Sequence, residues 1–151
     1  MKTRIILLID DDCDDIAFFK EAFAEMDDRF TLICADGGAK AIQMLNEMDS
    51  APALIFLDAG MPMINGWECL KLLKAESRFA SYPIIMASTS QLSSGIEKAR
   101  DLGALAYMIK PWDFKELVFM IKLICAGLDG PLQQNLLDLE LAMPNHFFCL
   151  F

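Results

Sequence analysis

The stretch IILLIDDD, residues 5–12, decides the fold, because five apolar residues are followed at once by three aspartates. A short apolar run that ends in polar residues is typical of a buried β-strand. The same pattern recurs along the chain, and helical patterns fill the gaps between the runs. Strands that alternate with helices predict a parallel sheet covered by helices. The predicted strands are residues 5–9, 30–34, 53–57, 84–87 and 106–109.

The predicted helices follow from apolar residues spaced three and four positions apart. The fifth is the clearest, because its apolar face continues from Phe114 to Cys125 without a break. The first carries Asp14 and Asp15 in its opening turn, where the helix dipole favours negative charge. The predicted helices are residues 14–26, 39–48, 65–76, 92–102 and 113–125.

Polar side chains stand where the predicted strands end. Three aspartates occupy residues 10–12, Asp58 and Ser88 follow the third and fourth strands, and Lys110 follows the fifth. Because parallel sheets bind ligands at the carboxyl ends of their strands, we expect these groups to converge on one crevice. Neighbouring carboxylates raise one another's pKa unless a cation completes the site. The arrangement therefore predicts a divalent metal.

Composition and charge narrow the function classes. The 151 residues suit one domain, and their 55% hydrophobic content supplies a buried core. With 22 acidic and 13 basic residues, the net charge of -9 would repel a phosphate backbone, so we expect no nucleic-acid binding. The apolar start is too short for a signal peptide, and no apolar segment approaches the roughly 20 residues of a membrane span. We therefore expect a cytoplasmic protein without membrane insertion.

The end of the chain has its own character. Gly127, Gly130 and Pro131 mark a predicted domain edge, so that residues 1–127 form one domain and residues 128–151 an apolar extension that begins with a short helix. Two interpretations stay open: the extension folds back on its own domain, or it docks on a partner or a second copy of the chain. We interpret His146 within it as a structural residue and not as a phosphodonor.

Four motifs, in order and at compatible spacing, carry a family resemblance. They are LLIDDD at residues 7–12, DAGMPMING at 58–66, PIIMAS at 83–88 and YMIKP at 107–111. Together they resemble the receiver domain of two-component response regulators, over residues 1–127. The resemblance implies a flavodoxin-like (βα)5 fold, a doubly wound sheet of five parallel strands in the order 2-1-3-4-5.

The resemblance also implies a chemistry. Asp58 would accept a phosphoryl group from the phosphohistidine of a sensor histidine kinase or phosphotransfer protein. Asp10, Asp11, Asp58 and the backbone carbonyl of Gly60 would hold Mg²⁺, a cation that prefers oxygen ligands. Lys110 would pair with Asp58 before the reaction and with a phosphoryl oxygen after it. Such a protein signals without being an enzyme in the ordinary sense.

Ser88 and Tyr107 resemble the family's output switch, in which the hydroxyl moves toward the phosphate and the aromatic ring rotates. The face formed by the fourth helix, fifth strand and fifth helix would then act on a downstream protein, and this face or the extension could form a homodimer. The corresponding Lys-Pro peptide bond of the family is cis, but the sequence alone leaves the isomer of Lys110–Pro111 open. Thr89 departs from the family's usual small residue, so access to Asp58 would be narrower.

Alternative hypotheses remain for the role of Asp12 and for the function of the whole chain. Asp12 either caps the first helix or supports the metal from outside its ligand shell. A receiver-like binding module that does not use phosphate is the alternative function, motivated by Thr89 and the apolar C-terminus. An aspartate-nucleophile phosphatase would need an Asp where Gly60 stands, and a flavodoxin-type cofactor binder would need a phosphate loop after the first strand.

Overall fold

The computed structural model describes residues 3–61, 63–89 and 93–151. Pro62 of the DAGMPMING motif and Leu92, where the predicted fourth helix begins, lie outside these residues. The described chain alternates strands and helices as predicted. The elements are β1 (Arg4–Ile9), α1 (Cys13–Phe23), β2 (Phe30–Ala35), α2 (Gly38–Glu47), β3 (Leu54–Asp58), α3 (Gly66–Ala75), β4 (Ile84–Ser88), α4 (Ser93–Asp101), β5 (Ala106–Ile109), α5 (Phe114–Leu128), α6 (Leu132–Ala142) and β6 (Phe147–Cys149).

The strands form one sheet in the order β2-β1-β3-β4-β5-β6. The first five strands pair in parallel, which confirms the predicted flavodoxin-like order 2-1-3-4-5. A sixth strand that was not predicted, β6, extends this sheet by pairing with β5 in the antiparallel direction.

Alternate residues of each central strand pack into two apolar layers, one on each face of the sheet. In β1, Ile6 and Leu8 pack on the face covered by α1, α5 and α6, whereas Leu7 and Ile9 pack on the face covered by α2, α3 and α4. All four side chains are fully buried. Side chains alternate between the faces of a strand, so a continuous apolar run such as residues 5–9 fits only a sheet that is covered on both sides.

The beginning of α1 resolves the question about Asp12. Its carboxylate accepts hydrogen bonds from the backbone N–H groups of Asp14 and Asp15, at 2.8 and 3.3 Å. Asp12 is therefore the N-cap of α1, the first of the two roles predicted for it. Two helix ends differ from the prediction: α1 ends at Phe23 instead of residue 26, and α5 continues to Leu128 instead of residue 125.

Residues 132–149 fold back on their own chain. Helix α6 packs on α5, and its Leu136 and Leu139 are fully buried. The backbone N–H of Ile109 donates to the carbonyl of His146 at 2.8 Å, which fixes β6 against the outer edge of β5. The sequence analysis missed this strand because three residues in an apolar segment show no alternation, while the unpaired edge that attracts them belongs to another part of the chain. That residue 127 bounds a separate domain stays a prediction.

Among the described residues, no helix combines the length and the apolar character that a membrane crossing requires.

Helix α6 offers a matched pair of substitutions that tests whether the extension stabilises the fold. Leu136→Ala should lower the free energy of unfolding by about 2 to 4 kcal/mol, because it leaves a cavity against α5. Leu141, in the same helix, is 80% exposed, so Leu141→Ala should change it by less than about 0.5 kcal/mol. Urea denaturation followed by circular dichroism measures both. Equal and small losses would mean that α6 is not packed as described.

Candidate functional site

Three acidic side chains meet at the carboxyl end of the sheet. Asp10 follows β1, Asp58 is the last residue of β3, and Asp11 lies beside Asp10. One carboxylate oxygen from each of the three lies within 4.8 Å of the others. Asp10 is fully buried and Asp58 is 9% exposed, whereas Asp11 is exposed. The strand ends thus bring the predicted carboxylates together.

The ammonium group of Lys110 lies among these carboxylates. Its Nζ donates to Asp10 Oδ2 at 2.8 Å, to Asp58 Oδ1 at 3.3 Å and to Asp15 Oδ2 at 2.7 Å. The Lys110 side chain is only 9% exposed. The backbone N–H of Lys110 donates to the carbonyl of Ser88 at 2.8 Å, which fixes the start of this side chain at the end of β4.

Asp15 is the site residue that the sequence analysis missed. The sequence places it only in the opening turn of the first helix, where the helix dipole alone explains an acidic residue and no partner is needed. The available signal was helix geometry: Cα–Cβ bonds tilt toward the helix N-terminus, and the N-terminus of α1 adjoins the strand ends. An acidic residue near this end therefore points back toward the cluster.

Burial sets the electrostatics of the two central groups. The pKa of Asp10 is raised to about 6, because burial raises it and the hydrogen bonds from Lys110 and from the backbone of Asp12 offset only part of this effect. Burial also lowers the pKa of Lys110, but its hydrogen bonds to Asp10 and Asp15 outweigh burial and raise the pKa above its ordinary value. Lys110 is consequently cationic, and one positive charge faces several carboxylates.

The donor atoms fit a hard divalent cation. Carboxylate oxygens are the ligands that Mg²⁺ and Mn²⁺ prefer. The backbone N–H of Asp12 donates to Asp10 Oδ1 at 3.0 Å, and that of Gly60 donates to Asp58 Oδ1 at 3.3 Å, so two of the three carboxylates are held by the backbone. Asp10, Asp11 and Asp58 could hold such a cation. The predicted contribution of the Gly60 carbonyl stays a prediction.

The connection between β3 and α3 folds tightly over Asp58. A Cβ atom at Gly66 would lie 2.1 Å from the carbonyl oxygen of Asp58 and 2.6 Å from the Cα of Ala59, so only glycine fits there. Asn65 caps α3 by accepting a hydrogen bond from the backbone N–H of Glu68 at 2.9 Å. Packing of α3 onto the end of β3 thereby fixes the backbone that carries Asp58.

The two predicted switch residues line one cavity beside the site. Ser88 is the half-buried last residue of β4, and Tyr107 in β5 is 1% exposed. The cavity between them has a volume of 490 Å³ and also contacts Gly60 and Gly95. A Cβ atom at Gly95 would lie 3.0 Å from the hydroxyl oxygen of Tyr107, so this glycine of α4 leaves room for the phenol. Thr89, the next residue, is exposed.

The peptide bond between Lys110 and Pro111, whose isomer the sequence left open, is trans in this structure. Both residues are described, and the described chain contains no cis peptide bond. The ammonium group reaches Asp10 and Asp58 all the same, because the long side chain of Lys110 spans the distance from the end of β5.

With this geometry established, comparison with known proteins gives the family. A family model described as the response regulator receiver domain matches residues 6–122. The chain belongs to the response regulator receiver domain family. Receivers of this family are phosphoacceptor signalling proteins of two-component systems and not enzymes in the ordinary sense.

The receiver has relatives among both sequences and structures. The probable transcriptional regulator ycf29 of Porphyra purpurea is 32% identical over 97 residues, which cover 64% of this chain and 46% of that protein. This receiver thus spans less than half of the length of that curated relative. The phosphorylated cyanobacterial phytochrome response regulator RcpA superposes with a TM-score of 0.76 at 26% identity, covering 85% of this chain and 95% of that one.

A second solved structure bears on the metal. The response regulator Rcp1, described in a Mn²⁺-bound form, superposes with a TM-score of 0.71 at 25% identity, covering 80% of this chain and 91% of that one. The acidic cluster of this receiver is thus of the kind that holds divalent metal in the family.

Gly66 and Gly37 provide a matched pair of substitutions that tests the close contact between the start of α3 and the backbone of Asp58. Gly66→Ala should lower the free energy of unfolding by at least about 2 kcal/mol. The new methyl group would overlap backbone atoms of Asp58 and Ala59, and these atoms can move only if the end of β3 moves with them. Gly37 has nothing within 4 Å of an added Cβ and an extended backbone with φ of 172°. Gly37→Ala should therefore change the free energy by no more than about 1 kcal/mol. Urea denaturation of both variants decides the matter, and equal effects would contradict the close contact.

Proposed function

We propose that this receiver accepts a phosphoryl group on Asp58 from a phosphohistidine donor, with Mg²⁺ bound at the acidic cluster. One observation carries the proposal: the carboxylates of Asp10, Asp11 and Asp58 gather within 4.8 Å while Lys110 donates to Asp58. The alternative, a binding module that does not use phosphate, gives no reason for bringing these charges together. The complete cluster therefore favours the phosphoacceptor.

The proposed reaction is a phosphoryl transfer between two nucleophiles. An oxygen of Asp58 attacks the phosphorus of the donor phosphohistidine, an O–P bond forms, and the P–N bond breaks as the imidazole takes up a proton. Phosphoryl transfer depends mainly on positioning and charge neutralisation. Lys110, already oriented by Asp10, supplies a positive charge beside the transferred oxygens. A bound divalent cation would supply further neutralisation of these oxygens.

The donor in this proposal is a sensor histidine kinase or a phosphotransfer protein. Two exposed apolar side chains follow the reacting groups in the chain: Met63, 99% exposed, after Asp58, and Trp112, 95% exposed, after Lys110. Exposed apolar groups next to a reaction centre suit contact with a protein donor. Because RcpA is a phytochrome response regulator, a phytochrome histidine kinase is the first donor to test. We place this exchange in the cytoplasm.

The output in this proposal runs through Ser88 and Tyr107. A phosphoryl group brings a charge of about -1.5 to -2 next to Ser88 and draws its hydroxyl toward it. Tyr107 fills the space beside Gly95 of α4, so a change at Ser88 alters the packing between β4, β5 and α4. The face of α4, β5 and α5 would then act on a downstream protein.

The extension belongs to the same proposal. We take residues 1–127 as the receiver unit and residues 128–151 as an extension that packs on it and changes its output face, since β6 lies along β5. A homodimer through that face or through the extension stays a prediction.

Phosphate labelling tests the proposed function directly. The wild-type protein with Mg²⁺ should incorporate label from acetyl phosphate or from a phosphorylated histidine kinase, and Asp58→Asn should reduce incorporation at least about a thousandfold, because the amide is not a nucleophile for this transfer. Asp49→Asn, which changes an exposed Asp in the connection between α2 and β3, serves as the matched control and should label like the wild type. Persistent labelling of Asp58→Asn would refute the assignment.

Metal binding has its own test, which does not depend on phosphate. Saturating Mg²⁺, at about a hundred times its dissociation constant, should stabilise the protein by about 2.7 kcal/mol, because the cation binds only the folded cluster. Asp11→Asn should remove most of this gain, whereas Asp14→Asn, an exposed change in the first turn of α1, should keep it. Thermal unfolding with and without Mg²⁺ measures the difference. If the two variants respond alike, the cation is not bound by Asp11.

A further inference from the structure

Asp15 makes the shortest of the three contacts to Lys110, and nothing in the reaction proposed above uses it. The Nζ atom of Lys110 lies 2.7 Å from Asp15, 2.8 Å from Asp10 and 3.3 Å from Asp58. We propose that Asp15 is a positioning residue that competes with the phosphoryl group for Lys110 and thereby slows phosphorylation of Asp58 and shortens the lifetime of the phosphate. This inference rests on the proposed function.

Both partners of this contact are held in place by their own elements. The backbone N–H of Asp15 donates to the N-cap carboxylate of Asp12 at 3.3 Å, which anchors the first turn of α1. Helix α1 in turn packs on α5, where the rings of Phe18 and Phe114 lie 5.8 Å apart. The contact between Asp15 and Lys110 thus joins the first turn of α1 to the segment between β5 and α5, and α1 and α5 pack on each other.

The number of hydrogen-bond donors makes the competition specific. An ammonium group has three N–H donors, and Asp10, Asp15 and Asp58 accept from all of them. A phosphoryl group on Asp58 adds acceptor oxygens that stand farther out than the carboxylate. Lys110 must turn toward these oxygens, and it cannot do so while it keeps all of its present partners at these distances.

Burial decides which partner is released. Asp10 is fully buried, so water cannot take the place of the ammonium there, and loss of this hydrogen bond would be costly. The side chain of Asp15 is 32% exposed, so water can replace the ammonium there. Asp15 is therefore the contact that breaks when Lys110 follows the phosphoryl group. Its negative charge also repels the incoming phosphate, and both effects favour the unphosphorylated state.

Neighbouring residues provide the matched variants. Asp15→Asn and Asp14→Asn each remove one negative charge from the first turn of α1, but only Asp15 contacts Lys110. Asp15→Asn should label from acetyl phosphate faster than Asp14→Asn by about threefold to tenfold, and its phosphate should persist longer by a similar factor. Asp15→Glu, which keeps the charge, should return both rates toward the wild-type values. Asp15→Ser, a second neutral variant, guards against an effect peculiar to asparagine.

The outcomes separate this inference from the proposed function. If the wild type takes up no label, the proposed function fails, whatever the variants do. If the wild type labels while Asp15→Asn labels at the rate of Asp14→Asn or more slowly, the phosphoacceptor assignment stands and the competition by Asp15 is wrong. A merely structural role of Asp15 would lower the thermal stability and slow labelling in Asp15→Asn and Asp15→Ser, which is the opposite of the acceleration expected for these two neutral variants.

Discussion

The ammonium group of Lys110 lies among carboxylates that come from three separate parts of the chain. It contacts Asp10 after β1, Asp15 in α1 and Asp58 at the end of β3. Asp10 is fully buried, and a buried carboxylate without a partner would be costly enough to disrupt the fold around it. Lys110 therefore makes the convergence of these strand ends possible. The order of the sheet, with β1 next to β3 and β5 beyond β4, brings the four groups within reach of one another.

The same contacts leave the site electrostatically incomplete. One lysine cannot neutralise the carboxylates of Asp10, Asp11, Asp15 and Asp58, and the pKa of Asp10 is already raised to about 6. A divalent cation would relieve this excess of negative charge, and the exposed Asp11 leaves the cluster open to solvent on one side. The negative charge of the site thus has one cause, namely carboxylates that the order of the strands brings together.

The sequence predicted the parts of this arrangement that depend on local pattern. Apolar runs of five residues and the aspartates after them placed Asp10, Asp11 and Asp58 at one edge of the sheet, and the structure brings these three together. Asp15 was not predicted as a site residue, because its place in the site depends on how α1 is oriented and not on a strand end. Strand β6 was not predicted for a similar reason, since its pairing depends on the open edge of β5. The isomer of the Lys110–Pro111 bond has no local signal either, because the two forms differ by only about 0.5 to 1 kcal/mol in an unfolded chain.

Strand β6 also changes what can reach β5 from outside. Because Ala106, Tyr107 and Met108 are paired with residues 147–149, the main-chain groups on that side of β5 already have partners within the molecule. A protein that binds β5 by strand addition must first displace β6. A protein that binds side chains at this end of the sheet can do so while β6 stays paired. The extension thus occupies the edge of β5 that strand addition would need, and the sheet ends instead in the three-residue strand β6.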